Sequence, residues 1–278
     1  MGGIETVTTK MAQKLRGFPN RGRRIVFTHI PKCAGTSVGQ AISHTVHPFS
    51  RHTLNYRAAH AAGQLLTDRK VTTSGLGDDL PYLQFLLCYQ ISRGFRYIGG
   101  HYPVSKQVLQ VYSDQYRFVT LLRDPVERWK SEFIFQSGLR GHTETARAMS
   151  IEDEFDGIVS SNLGLLMGTM MCSMLTSQYP ATANEAANLV EAAGETLAMY
   201  SVVGTVDKMD GFQADFERVA NVRIKVPRKN QSHNLYRGHN QQRLSLIKDF
   251  LNREDTGAVI TRLCAADMSL FRCVNHAE

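Results

Sequence analysis

Cysteine is scarce and scattered. The 278 residues hold five, Cys33, Cys88, Cys172, Cys264 and Cys273, with no CxxC pair and no metal spacing. An odd, unpatterned set argues against a disulfide framework and fits reduced thiols, so a cytoplasmic location is expected. His44 and His47 stand three apart with no third ligand beside them, and no metal is expected. No repeat, low-complexity tract or linker interrupts the chain. The expected organisation is a polar, basic tail over 1–23 and one domain over 24–278. The tail lacks the apolar core of a signal peptide and is too polar to span a bilayer, so no transmembrane segment is expected. Its start, MGGIET, fits the N-myristoylation pattern, which is too short to carry a claim. Zinc fingers, RNA-recognition signatures and basic stripes interleaved with aromatics are missing, so no nucleic-acid partner is expected.

The ordinary nucleotide loop is missing too. Gly-x-x-x-x-Gly-Lys-Ser/Thr does not occur around Lys32, where the lysine precedes the glycine. A phosphatase loop built on Cys33 would want an arginine about six residues on, and Gly39 stands there. The formal net charge, in contrast, is +7, which suits an anionic ligand.

Two stretches carry the chemistry. Arg24 to Ser37 reads RIVFTHIPKCAGTS. Ile25, Val26 and Phe27, closed by Ile30, form a buried parallel strand that Pro31 stops. A tight turn follows, and from about Thr36 the apolar spacing of Val38, Ala41, Ile42 and Val46 is helical. A strand, a small-residue turn and a helix start make an anion site, because free amides and the helix dipole both favour negative charge. Lys32, Cys33, Ala34, Gly35, Thr36 and Ser37 are the candidate phosphate-binding residues. The second stretch, Tyr116 to Arg123, reads YRFVTLLR and is another strand. Asp124-Pro125 ends it, and an amphipathic helix runs over Val126 to Phe135. Arg123 and Ser131 are a candidate phosphate pair, a planar fork and a hydroxyl donor.

IPKCAGTS followed by LLRDPVERWKSEF resembles the PAPS-dependent sulfotransferases, in their carbohydrate branch, which includes the heparan and chondroitin 2-O-sulfotransferases. The resemblance covers about thirty residues. It departs from the family at Cys33, where Thr is common, and at Phe133, where Tyr is common. It implies that Lys32 through Ser37 hold the 5′-phosphosulfate of PAPS and that Arg123 and Ser131 hold its 3′-phosphate. It implies further that the Gly100-His101 segment supplies the catalytic base and that a late basic loop closes on the cofactor. His101 and Lys32 are thus the catalytic candidates, and Arg228, Lys229 and Ser232 are possible 3′-phosphate contacts. The fold implied is α/β, P-loop-like and three-layered, with a central, mainly parallel sheet flanked by helices. The partner implied is a hydroxyl-bearing acceptor: a glycan, a glycolipid or a small molecule. Animal members of the family it resembles are usually Golgi membrane proteins with an N-terminal anchor. A trimmed form of such an enzyme would place this chain in the Golgi lumen instead of the cytoplasm.

The remaining elements are read from periodicity. Phe49 to Gly77 is expected to hold one short helix and loops, with His52 and His60 on the surface. Helices are expected at Asp78–Ser92, Val104–Tyr112, Ile151–Ser160, Leu163–Leu175, Asn184–Met199 and Asp207–Ala220. Strands are expected at Phe95–Gly99 and Ser201–Val206. A polar loop over Gly138–Met149, a short strand before Val226 and two closing helices from Asn240 complete the reading. The Met-rich stretch before Leu175 is expected to be core or lid. Asp124 and Glu127 are expected to fix the loop, and Glu132, taken as exposed or partly so, is given no role. His29 and His60 are the next candidates for the base. Two other functional classes fit parts of this pattern. One is a non-catalytic polyanion- or glycan-binding protein, and the other is an atypical P-loop kinase.

Overall fold

The computed structural model describes residues 24–46, 50–56, 58–59, 61–62, 80–140, 149–227 and 240–275. The proposed contacts Arg228, Lys229 and Ser232, together with His47, His60 and the 1–23 tail, lie outside the described residues.

The described residues fold around a five-stranded sheet in the order β2-β3-β1-β4-β5. The strands are β1 (Ile25–Thr28), β2 (Arg51–Thr53), β3 (Tyr97–Gly100), β4 (Arg117–Leu122) and β5 (Val202–Thr205). Every neighbouring pair is parallel. Parallel strands are buried on both faces, which is why β1 and β4 read as continuous apolar runs. Alternate residues serve opposite faces. Ile25, Phe27, Val119 and Leu121 pack with Val38 and Ile42 of helix α1 (Gly35–Val46). The same cluster takes Phe212 and Phe216 from helix α9 (Met209–Ala220). Val26, Ile98, Phe118 and Leu122 point the other way, into a second core. That core takes side chains from α2 (Leu80–Ser92), α3 (Lys106–Tyr112), α7 (Met170–Thr176), α8 (Ala183–Ala198) and α12 (Ala265–Asn275). Helices therefore cover both faces of the sheet.

A third cluster is helical throughout. Trp129 and Phe133 of α4 (Pro125–Arg140) stack at 5.7 Å. They pack on Phe155 of α5 (Ile151–Val159), on Met167 of α6 (Asn162–Gly168) and on side chains of α10 (Asn240–Leu251) and α11 (Glu254–Leu263). Phe133, one of the two departures from the resembled motif, is wholly buried and has no polar task.

Several boundaries differ from the sequence reading. β1 ends at Thr28, short of Ile30, although the His29 amide still donates to the Gly100 carbonyl at 2.9 Å. β2 was read as loop, because Arg-His-Thr carries no apolar run. It is a three-residue edge strand, held in part by the Leu54 amide on the Gly99 carbonyl at 2.9 Å. Leu163–Leu175 is two helices. Thr169 leaves the helical region there (φ −116°, ψ 15°), and Gly168 lies so close to the Leu263 carbonyl that a side chain would collide with it. α4 runs on to Arg140, three residues into the expected loop. No strand forms over 222–227, and three helices, not two, close the chain from Asn240. The Met-rich stretch is core, with Met167, Met170, Met171 and Met174 all buried.

Candidate functional site

Because all the strands run the same way, the residues after β1, β3, β4 and β5 share one edge of the sheet, where open α/β sheets place their ligands. His29 follows β1 and His101 follows β3, with Arg123 after β4 and Val206 after β5.

The loop after β1 has an unusual backbone. Lys32 and Ala34 both adopt left-handed conformations, at φ 67° and 54°. Each costs roughly 1–3 kcal/mol in a residue that has a side chain, so the surrounding structure must enforce the shape. Cys33 between them donates its amide to the Ile30 carbonyl at 3.2 Å. The amides of Ser37 and Val38 turn back to the Ala34 carbonyl, starting α1. The amides of Ala34, Gly35 and Thr36 find no backbone acceptor among the described residues. Gly35 is required for a second reason. The His29 ring lies where a β-carbon on Gly35 would stand.

The two motifs meet. The Arg123 guanidinium donates through Nη1 to the Lys32 carbonyl at 3.3 Å. The Lys32 ammonium lies 3.9 Å from the centre of the Phe135 ring on α4. Ser131, one turn before Phe135, is on the same side of that helix and half-buried. Asp124 caps α4 by accepting the Glu127 amide at 2.9 Å. Glu127 stands 3.9 Å from Arg123 and 3.7 Å from Lys130. These two carboxylates shape the loop, as their sequence positions implied.

His101 joins the same group. Its Nδ1 lies 2.6 Å from the His29 carbonyl oxygen. A carbonyl only accepts, so Nδ1 carries the hydrogen and Nε2 is left with its lone pair. Its ring stands 4.3 Å from that of His29 and 5.8 Å, edge on, from Tyr56. Burial holds His101 below the ordinary histidine value, while the hydrogen bond to His29 and the charge of Glu132 raise it in part. His29 is held well below by burial, then by His101 and Lys32. Both rings are therefore neutral at neutral pH. Burial also lowers Lys32, with Glu132 opposing and Arg123 and Arg128 assisting.

Glu132 needs a correction. It was taken as exposed or partly so, yet it is only 8 % exposed and its charge bears on both Lys32 and His101. Its Oε1 accepts from Gln136 Nε2 at 2.7 Å. The signal was available: Glu132 lies one turn from both Arg128 and Gln136, on a helix whose core-facing positions include Trp129 and Phe133. Phe135 was likewise given no place in the loop's surroundings, and His29, named only as a next candidate for the base, packs directly against Gly35. Cys33 is buried, its Sγ 3.8 Å from the Pro31 carbonyl, and burial pushes its thiol up to about 12. It is no nucleophile at neutral pH.

A cavity of about 350 Å³ opens beside this loop. Ala34 and Ser37 line one side, and Val206, Asp207, Met209, Gln213 and Pro227 line others. His52, on β2, is half-buried 5.5 Å from Phe95 and outside this group. Among the described residues no three His, Cys, Asp or Glu side chains gather as a metal site. No helix among them is long and apolar enough to cross a membrane. Fold and site together define an α/β protein with a basic, glycine-opened loop at the carboxyl edge of its parallel sheet. Comparison with protein-family models and with curated proteins finds no match to the chain.

Proposed function

We propose that this protein is a PAPS-dependent sulfotransferase of P-loop-like, three-layered fold, moving a sulfuryl group to the hydroxyl of a glycan, a glycolipid or a small molecule. The observation that carries the reading is the meeting of Lys32, His101 and Arg123 around one strained loop at the carboxyl ends of three adjacent strands. The two sequence motifs lie far apart in the chain, and this convergence is what a shared ligand requires.

The residues present fit the cofactor. The amides of Ala34, Gly35 and Thr36, which have no backbone acceptor among the described residues, and the ammonium of Lys32 suit its 5′ end. Arg123 and Ser131 suit the 3′-phosphate. The adjoining cavity, with apolar walls at Val206 and Met209 and polar groups at Asp207 and Gln213, suits a nucleoside. When bound, PAPS supplies an activated sulfuryl group on a phosphate leaving group. The chain then has little covalent work to do, and its contribution is positioning and charge. Lys32 balances negative charge at the leaving phosphate. His101, neutral and with Nε2 free to accept, takes the proton of the acceptor hydroxyl. His29 fixes the tautomer of His101 through its carbonyl.

The experiment is calorimetric titration with adenosine 3′,5′-bisphosphate, with 5′-AMP and ATP-Mg as controls. Binding that needs the 3′-phosphate and weakens in Arg123→Ala is expected. A preference for ATP-Mg would favour a kinase, and no nucleotide binding at all would favour a polyanion-binding protein.

A further inference from the structure

The opposite edge of the sheet carries a second, unrelated pattern. Four of the five strands begin at an arginine: Arg51 opens β2, Arg96 precedes β3, Arg24 precedes β1 and Arg117 opens β4. Those strands are neighbours, and their register is parallel. Tyr97 pairs with both Arg51 and Ile25, and Ile25 pairs with Arg117. The four positions therefore form one row about 15 Å long, three inter-strand spacings, along the amino edge of the sheet. Arg24 turns inward, 5.7 Å from the Tyr116 ring. Arg51 and Arg117 are exposed, and Arg96 is half-buried. Arg93, exposed at the end of α2, adds a further guanidinium, 5.5 Å from Phe95 and 5.9 Å from Tyr89. Among the described residues Arg51, Arg93, Arg96 and Arg117 have no carboxylate partner. Asp114, exposed in the turn before β4, is the one acidic residue near the row in sequence.

The row adjoins an apolar surface. α2, LPYLQFLLCYQIS, holds 13 residues and no charge. It exposes Tyr89 by 47 % and, one turn away, Phe85 by 65 %. Arg93 joins the two features, because Phe95 beneath it touches His52, the neighbour of Arg51.

We infer that this edge docks on an anionic phospholipid surface. Guanidinium forks match phosphate and carboxylate headgroups, and exposed aromatics enter the interfacial layer. A soluble polyanion would account for the arginines but would leave Phe85 and Tyr89 in water. Residues 1–23 do not offset the row, since they hold five Lys or Arg and one acidic residue. The site stands at the far edge of the sheet from the loop of Lys32 and does not depend on the reading of that loop.

The test uses the full chain and sedimentation with vesicles of phosphatidylcholine, with and without phosphatidylserine. Binding only to the anionic vesicles, weakened by salt, is expected. Each guanidinium removed should lower partitioning about fivefold, and Arg51→Ser/Arg93→Ser/Arg117→Ser together about a hundredfold. A second measurement follows insertion. The single tryptophan, Trp129, is buried, so Phe85→Trp adds a solvent-exposed reporter. Its emission should shift to the blue with anionic vesicles and stay put with dextran sulfate. Equal binding of the triple variant, no sedimentation with anionic vesicles, or binding to dextran sulfate alone would each overturn the inference.

Discussion

The rings of His29 and His101 lie 4.3 Å apart, tilted by 34°, with His101 Nδ1 donating to the His29 backbone oxygen at 2.6 Å. That one bond sets the tautomer and makes Nε2 the acceptor. Replacing His101 with alanine should lower turnover by about 10²–10⁴-fold, the usual range for a general base, with little change in affinity for adenosine 3′,5′-bisphosphate. The acid limb of the rate profile should lie below the ordinary histidine value of about 6.5, since burial holds His101 down. A limb at or above that value, or near-normal turnover in the variant, would move the base elsewhere.

The same burial has a consequence for stability. His29 and His101 both have lowered values in the folded protein. The unfolded chain then binds more protons between the two values, so stability rises with pH there. The contribution is complete above about 6.5 and is lost as pH falls from there toward the folded values. Asp267, whose carboxyl burial raises, works in the opposite direction. A comparison of variants isolates the histidines. Urea midpoints for the parent and for His29→Gln, measured across the acid range, should show a shallower pH slope in the variant. Parallel slopes would refute the assignment.

Much of this site was legible because its residues sit in local patterns. A strand stopped by Pro31, a turn with Gly35 and a helical repeat from Val38 give the loop without any knowledge of the rest. His101, which stands just after β3 with its ring against His29, was picked out through the resemblance. Glu132 was not, because whether a helix position is buried depends on which elements pack against it, and those come from beyond residue 149 and from the loop at Lys32. β2 was missed for the opposite reason. An edge strand of Arg-His-Thr is made by its partner β3 and has no apolar signal of its own. The break at Thr169 likewise depends on Leu263, which sequence proximity cannot show.

Glu132→Gln should keep the bond from Gln136, since its amide oxygen can accept as the carboxylate does. What it removes is a negative charge that raises both Lys32 and His101. The acid limb of the rate profile should then move to still lower pH. Affinity for adenosine 3′,5′-bisphosphate should increase, because a like charge has left the anion site. Weaker binding, or an unmoved limb, would show that Glu132 does not act on the site through its charge.

Cys33 occupies the centre of the loop but should be chemically silent. Its thiol is buried and pushed up to about 12, mainly by that burial. Cys273, in contrast, is exposed. Brief iodoacetamide treatment at neutral pH, read by peptide mass, should modify Cys273 and leave Cys33 untouched. Modification of Cys33 that stops nucleotide binding would mean that the loop opens in solution.

Behind the loop two charges are sealed in the protein. Arg128 and Asp267 are both 0 % exposed. Asp267 accepts the amides of Met171 and Cys172, each at 2.9 Å, so α12 caps the first turn of α7. Burial pushes its carboxyl up, and the positive charge of Arg128 pulls it back down. The guanidinium finds no hydrogen-bond acceptor among the described residues, so its place rests on this charge balance and on packing. Removing it by Arg128→Met should leave Asp267 as an uncompensated buried charge, at a cost of about 3–5 kcal/mol. Asp267→Asn should cost about 1–3 kcal/mol, since one of the two amides loses its acceptor. The double variant should cost less than the sum, because the neutral asparagine no longer needs the arginine, with a coupling of about 0.5–3 kcal/mol. Urea midpoints at constant m-value would measure it. Costs that add to within about 0.5 kcal/mol would show that the two charges do not interact, and that Arg128 is held by packing alone.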